Sequence, residues 1–130
     1  MTSQLEEFEK SCDLKLRASL TTVVVVSLRH EAVHHWPECP IEDVKFLRDK
    51  HRHEFHIVAS KAVTHTDRDV EIIMLKRRIK AYIEDSFGKD FGRMSCEDIA
   101  TDLLMHFDLV SCAVLEDGEN GANVWRNLKP

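Results

Sequence analysis

The stretch HRHEFHIVAS, residues 51–60, places three histidines in six positions and then turns apolar. In an extended chain the side chains alternate between faces, so His51 and His53 point one way and His56 the other. Two imidazoles on one face can share an ion at about 2.0–2.1 Å, the Zn–N distance. A third ligand has to come from another element, and AVHHWP at 32–37 supplies His34 and His35. Three histidines with an open fourth position is the composition of a catalytic rather than a structural zinc centre. Solvated surface histidines and packed core histidines compete for the same spacing, and with eight histidines in the chain some clustering is expected.

The elements that position these residues follow from periodicity. Residues 20–36, LTTVVVVSLRHEAVHHW, are dense in β-branched side chains and free of Gly and Pro, which predicts a long strand. Pro37 and Pro40 mark a loop, with at most a turn of helix, before a second long strand over 51–65. The two form a hairpin whose ends bring His34 or His35 beside His51. From 67 the period changes: Ile72, Leu75, Ile79, Ile83 and Phe87 recur at three- and four-residue steps, an amphipathic helix stopped by Gly88 and Gly92. Ser95 and Asp98 stand in capping-box register at the head of a second helix over 95–107. LVSCAVLE reads as a short apolar strand, and the turn formers of DGENG lead to a last strand around ANVW. The order β-β-α-α-β-β predicts an α+β domain over 20–130, an antiparallel sheet with both helices on one face. Residues 1–19 form an N-terminal extension. Ser3 and Glu6, again in capping-box spacing, predict a short helix within it.

Composition bounds the rest. A chain of 130 residues, 43% hydrophobic and 32% charged, suits one globular domain. Its net charge of -5 argues against a general nucleic-acid surface. No apolar run approaches the roughly 20 residues of a membrane span. The acidic start lacks the order of a signal peptide, and Cys12, Cys39, Cys96 and Cys112 form no CxxC pair. These features lead to the expectation of a cytoplasmic protein with free thiols. Trp36 and Trp125 read as packing at strand ends, and LKRRIK at 75–80 as a solvated helix face.

With the elements in this order, the chain resembles the 6-pyruvoyl-tetrahydropterin synthase and 6-carboxy-tetrahydropterin synthase family of the tunnelling (T-fold) superfamily. AVHHW is similar to the family's AAHRL-like strand end, and HRH to its HGH. EIIMLK at 71–76 resembles its DFxxLK helix start, and MSCEDIA at 94–100 its PTAENIA. LEDGENGA is similar to its late ET and turn. The resemblance covers roughly residues 20–126. It implies a T-fold whose barrel closes by self-association, usually into a hexamer built from trimers, with a site at the subunit interface. It also implies Zn²⁺ on His34, His51 and His53, with His35 the alternative to His34. The implied reaction is triphosphate elimination and side-chain conversion on a reduced pterin triphosphate, a small-molecule pterin or purine-like substrate. Glu116 takes the place of the pterin-anchoring glutamate, a carboxylate suited to paired N–H bonds from the ring edge. Ser95 and Cys96 stand where the family's helix start meets the ring, although Ser95 is a helix cap in any case.

The pattern departs from the family at the proton-transfer groups. Leu47 occupies the position of the catalytic cysteine, and Ser86 that of the histidine in the Asp-His pair. Arg52 replaces the glycine of HGH. Substitute bases are Cys39, Asp85 and His106, with Glu42 and Asp43 in the loop before the HxH. A catalytically inactive T-fold module that binds a pterin, purine or related nucleotide is the alternative function.

Overall fold

The structure, a computed structural model, describes residues 3–127. The first two residues of the N-terminal extension, the last three of the domain and the side chain of Cys12 lie outside the described residues. Strands β1 (Thr22–His34) and β2 (His51–Val63) form a long antiparallel hairpin, in register from Thr22 opposite Val63 to His34 opposite His51. Helices α2 (Ile72–Ser86) and α3 (Cys96–Phe107) follow, and then strands β3 (Ser111–Glu116) and β4 (Asn120–Trp125). A first helix, α1 (Gln4–Ala18), precedes the sheet behind the Ser3–Glu6 capping box. The architecture is therefore α+β, a four-stranded antiparallel sheet in the order β1-β2-β3-β4 with helices. None of the helices among the described residues is long and apolar enough to cross a membrane.

Alternation along the strands builds the core. Val26, Leu28 and Ala32 of β1, Phe55, Ile57 and Ala59 of β2, and Cys112 and Val114 of β3 share one face. Leu75, Ile79 and Ile83 of α2 and Ile99, Leu103 and Leu104 of α3 pack onto them in a single cluster. The three- and four-residue steps of the helices thus meet the two-residue step of the sheet. The opposite face carries ion pairs. Arg52 bonds Glu31 there at 2.8 Å, which is where a residue between two inward histidines has to point.

Two connections shape the end of the sheet that holds the histidines. The loop between β1 and β2 contains short 3-10 turns within Glu42–Arg48, separated by a kink at Val44, in keeping with a loop that holds a turn of helix. After α2, residues 89–92 lie along the outer edge of β1: Val33 N–H donates to Lys89 C=O, Phe91 N–H to Val33 C=O, and His35 N–H to Gly92 C=O, each at 2.9 Å. Lys50 bonds Asp90 and ties this segment to the head of β2. That bond, with a second from Gly92 N–H, holds the Asp90 carboxyl below the usual range.

On β4, a Cβ at Gly121 would stand 1.9 Å from the Val114 carbonyl oxygen, so the two strands meet at a distance only glycine permits. We expect Gly121→Ala to cost about 1–3 kcal/mol, read as a lowered denaturant midpoint. An unchanged midpoint would show that the hairpin can part there without penalty.

Candidate metal centre

The core stripes change character where they reach one end of the sheet. On β1 the inward positions run Val26, Leu28, the half-buried His30, Ala32 and then His34; on β2 they run Ala59, Ile57, Phe55 and then His53 and His51. On β3, Cys112 and Val114 are followed by Glu116. The same two-residue step that packs the core therefore delivers four polar side chains to its rim. His34 faces His51 directly across the ladder, and Ala32 faces His53. The small Ala32 leaves room for the His53 ring.

His34, His51, His53 and Glu116 each offer one ligand atom, and these atoms all lie within 4.8 Å of one another. Glu116 Oε2 is 2.7 Å from His34 Nε2 and 3.3 Å from His53 Nε2. His34 is the one buried charged or polar residue among those described, only 7% exposed. Its ring stands edge-on to Phe55 at 5.1 Å, so the apolar core forms the floor of the site.

The outward nitrogens decide how the rings are used. His34 Nδ1 lies 2.9 Å from the Met94 carbonyl oxygen, and His51 Nδ1 lies 2.9 Å from that of Asp49. His53 Nδ1 lies 2.7 Å from Asp117 Oδ2. Carbonyls and carboxylates accept hydrogen bonds, so all three rings donate from Nδ1. All three Nε2 atoms are then left facing inward. The Nε2 atoms of His34 and His51 are buried without a hydrogen-bond partner, although the Glu116 carboxylate stands 2.7 Å from the first. Buried acceptors of this kind cost about 1–3 kcal/mol each when nothing meets them. Neutral imidazoles with Nδ1 braced by protein acceptors are the form in which histidine ligates a metal. The four residues can hold a metal ion.

No family model and no curated protein matches this chain.

His34, His51 and Glu116 border a cavity of ≈ 470 Å³, within the usual 300–1,000 Å³ of small-molecule sites. His35, Trp36 and Leu47 form one side of it, and Arg93 and Met94 another. The first turn of α3 reaches it with Ser95, Cys96, Glu97 and Asp98. Ser95 is engaged as the cap of α3: its hydroxyl accepts from Asp98 N–H while the Asp98 carboxylate accepts from Ser95 N–H, both at 3.1 Å. Cys96 is buried, and its thiol is pushed up to about 12 by that burial and by the nearby Glu116 and Glu97 carboxylates. A thiol in that state is protonated at neutral pH and serves as neither base nor nucleophile. The indole of Trp36 is 42% exposed and borders the cavity, whereas Trp125 stands away from it, 62% exposed on β4.

Of the residues singled out from the sequence, His34, His51, His53, Glu116, Ser95 and Cys96 converge, and the choice between His34 and His35 falls to His34. His35 lines the cavity outside the ligand group. The substitute bases do not converge. Cys39 is buried in its own loop, its thiol 3.8 and 3.7 Å from the carbonyls of Ile41 and Val44. Asp85 stands two residues beyond the buried Ile83 and so falls on the solvent side of α2. His106 stacks on Tyr82, ring centroids 3.8 Å apart. It lies ten residues along α3 from Cys96, roughly 15 Å. Glu42 and Asp43 are exposed. Neither borders the cavity.

Asp117 joins the surroundings of the site without any mark in the sequence. It sits at φ 55 beside Gly118 at φ 73, in a tight turn closed by Glu119 N–H on Glu116 C=O at 2.9 Å. Its Oδ1 accepts from Glu54 N–H at 2.9 Å while Oδ2 takes the His53 proton. The Glu54 N–H, and after it the His53 bond, hold this carboxyl below the usual range. The Asp-Gly pair signals such a turn, but nothing local signals that its carboxylate reaches back to β2.

Proposed function

We propose that the protein is a zinc-dependent enzyme of the 6-pyruvoyl/6-carboxy-tetrahydropterin synthase type, acting on a reduced pterin triphosphate. The observation that carries this reading is the set of three inward imidazole Nε2 atoms beside a carboxylate, next to a cavity of heterocycle size. His34, His51 and His53 hold the ion, which when bound lowers the pKa of substrate oxygens and favours the proton shifts that precede triphosphate loss. Glu116 borders both the imidazoles and the cavity, so its carboxylate is free to turn to the N–H edge of a pterin. With Leu47 apolar and Cys96 protonated, His35 is the cavity imidazole left to carry a proton. The fold in this reading is a T-fold that self-associates into a closed barrel, a trimer or hexamer. Two features support association: β4 and the part of β1 before Val33 are edges of the sheet, and Val23, Val25 and Trp125 are exposed on them.

A second reading is favoured by Leu47 bordering the cavity and by the distance of Cys39, Asp85 and His106 from it. It is a metal-containing T-fold module that binds a pterin, a purine or a related nucleotide without turnover.

One experiment tests both. Zinc-loaded protein incubated anaerobically with dihydroneopterin triphosphate is expected to release triphosphate and a new pterin. His35→Gln should slow this by about 10²–10⁴-fold, the usual worth of a general base. Micromolar binding without product, lost in Glu116→Ala, would replace the first reading with the second. No binding at all would end both.

A further inference from the structure

We infer that Asp117 is a positioning residue for the metal centre, holding His53 in the tautomer that ligates. This inference rests on the metal reading above and goes beyond it, since it assigns a role to a residue outside the ligand group.

Geometry argues for it. Asp117 is braced at both of its oxygens: Glu54 N–H donates to Oδ1 at 2.9 Å and His53 Nδ1–H to Oδ2 at 2.7 Å. Its own N–H donates to Glu54 C=O at 2.8 Å, so the turn is pinned to β2 by backbone and side chain together. The carboxylate therefore cannot swing away from the imidazole without also losing the Glu54 N–H bond. His53 differs here from its two partners. At Nδ1, His34 and His51 lean on the backbone carbonyls of Met94 and Asp49, which no side-chain substitution removes, whereas His53 alone of the three leans there on a side chain. Adjacent acids thus divide the work at the end of β3: Glu116 faces the imidazole nitrogens, and Asp117 orients one of the rings behind them.

The substitution Asp117→Asn isolates the effect. Asparagine tolerates positive φ, so the turn survives. Glu54 N–H requires an acceptor and keeps the amide oxygen. The amide nitrogen, a donor only, then faces His53 Nδ1. His53 must answer with a lone pair at Nδ1 and move its proton to Nε2, the atom that should bind the metal.

The experiment measures Zn²⁺ affinity by chelator competition on wild-type protein and Asp117→Asn. It is paired with long-range ¹H–¹⁵N NMR of the imidazoles in the metal-free protein. We expect the His53 proton on Nδ1 in the wild type and on Nε2 in the variant. Zinc affinity should fall by about 10–100-fold, the range for lost ligand-orienting partners. Thermal midpoints of the two metal-free proteins control for folding. Equal zinc affinities, or a wild-type His53 protonated on Nε2, would overturn the assignment. So would an affinity loss with an unchanged His53 tautomer, which would mark a structural role alone. Wild-type protein that binds no zinc would sink the metal reading itself, and this assignment with it.

Discussion

Zinc at about a hundred times its dissociation constant should stabilise the protein by about 2.7 kcal/mol, since only the folded chain brings the ligands together. For a domain of this size that corresponds to a rise in Tm on the order of 10 °C, readable by differential scanning fluorimetry. His51→Ala should abolish most of the rise. The reason is positional: His51 ends β2 opposite His34, and its Nε2 is buried without a partner, so it contributes to binding more than to the apolar core. The metal-free variant should melt close to the metal-free wild type, because an unpaired buried acceptor is removed along with the ring's packing. A wild-type protein indifferent to zinc would make the histidines incidental. An undiminished rise in His51→Ala would place the metal elsewhere.

The second large effect concerns the floor of the site. Phe55 is completely buried and touches the centre from below, its ring 5.1 Å from that of His34 and 5.8 Å from that of His53. Phe55→Ala should cost about 3–5 kcal/mol, the transfer of the ring plus the cavity left behind. It should also weaken zinc binding, because two ligand rings lose the surface that holds their tilt. Ile57→Val supplies the comparison: it lies one inward step further from the histidines and is equally buried. Its cost should be about 0.5–1.5 kcal/mol, with zinc affinity unchanged. Urea melts and chelator competition on the two variants separate these outcomes. A Phe55→Ala protein that keeps full zinc affinity would show that the outer hydrogen bonds alone orient the rings.

Much of this arrangement is legible in the residues, because backbone periodicity directs side chains locally. Alternation along β2 puts His51 and His53 on one face, and the hairpin brings the end of β1 beside them. The same alternation also contained the choice between His34 and His35. Even positions of β1 carry Val26, Leu28, His30 and Ala32, while odd positions carry Ser27, Arg29 and Glu31, so of the two neighbours His34 is the one in phase with the core. The helices were equally readable, from the steps of Leu75, Ile79 and Ile83 and from the Ser95–Asp98 cap.

What periodicity could not supply were the distances between elements. Cys39, Asp85 and His106 have side chains suited to proton transfer, yet packing of the loop and helices leaves each of them away from the cavity. Met94 and Asp49 contribute through backbone oxygens, which carry no residue signature. Asp117 reads only as a turn residue until β3 is laid beside β2 and its carboxylate meets His53 across 64 positions of chain. Side-chain direction is set by the nearest neighbours in the chain; convergence of His34, His51, His53 and Glu116 depends on how the whole core packs, and only the folded chain could decide it.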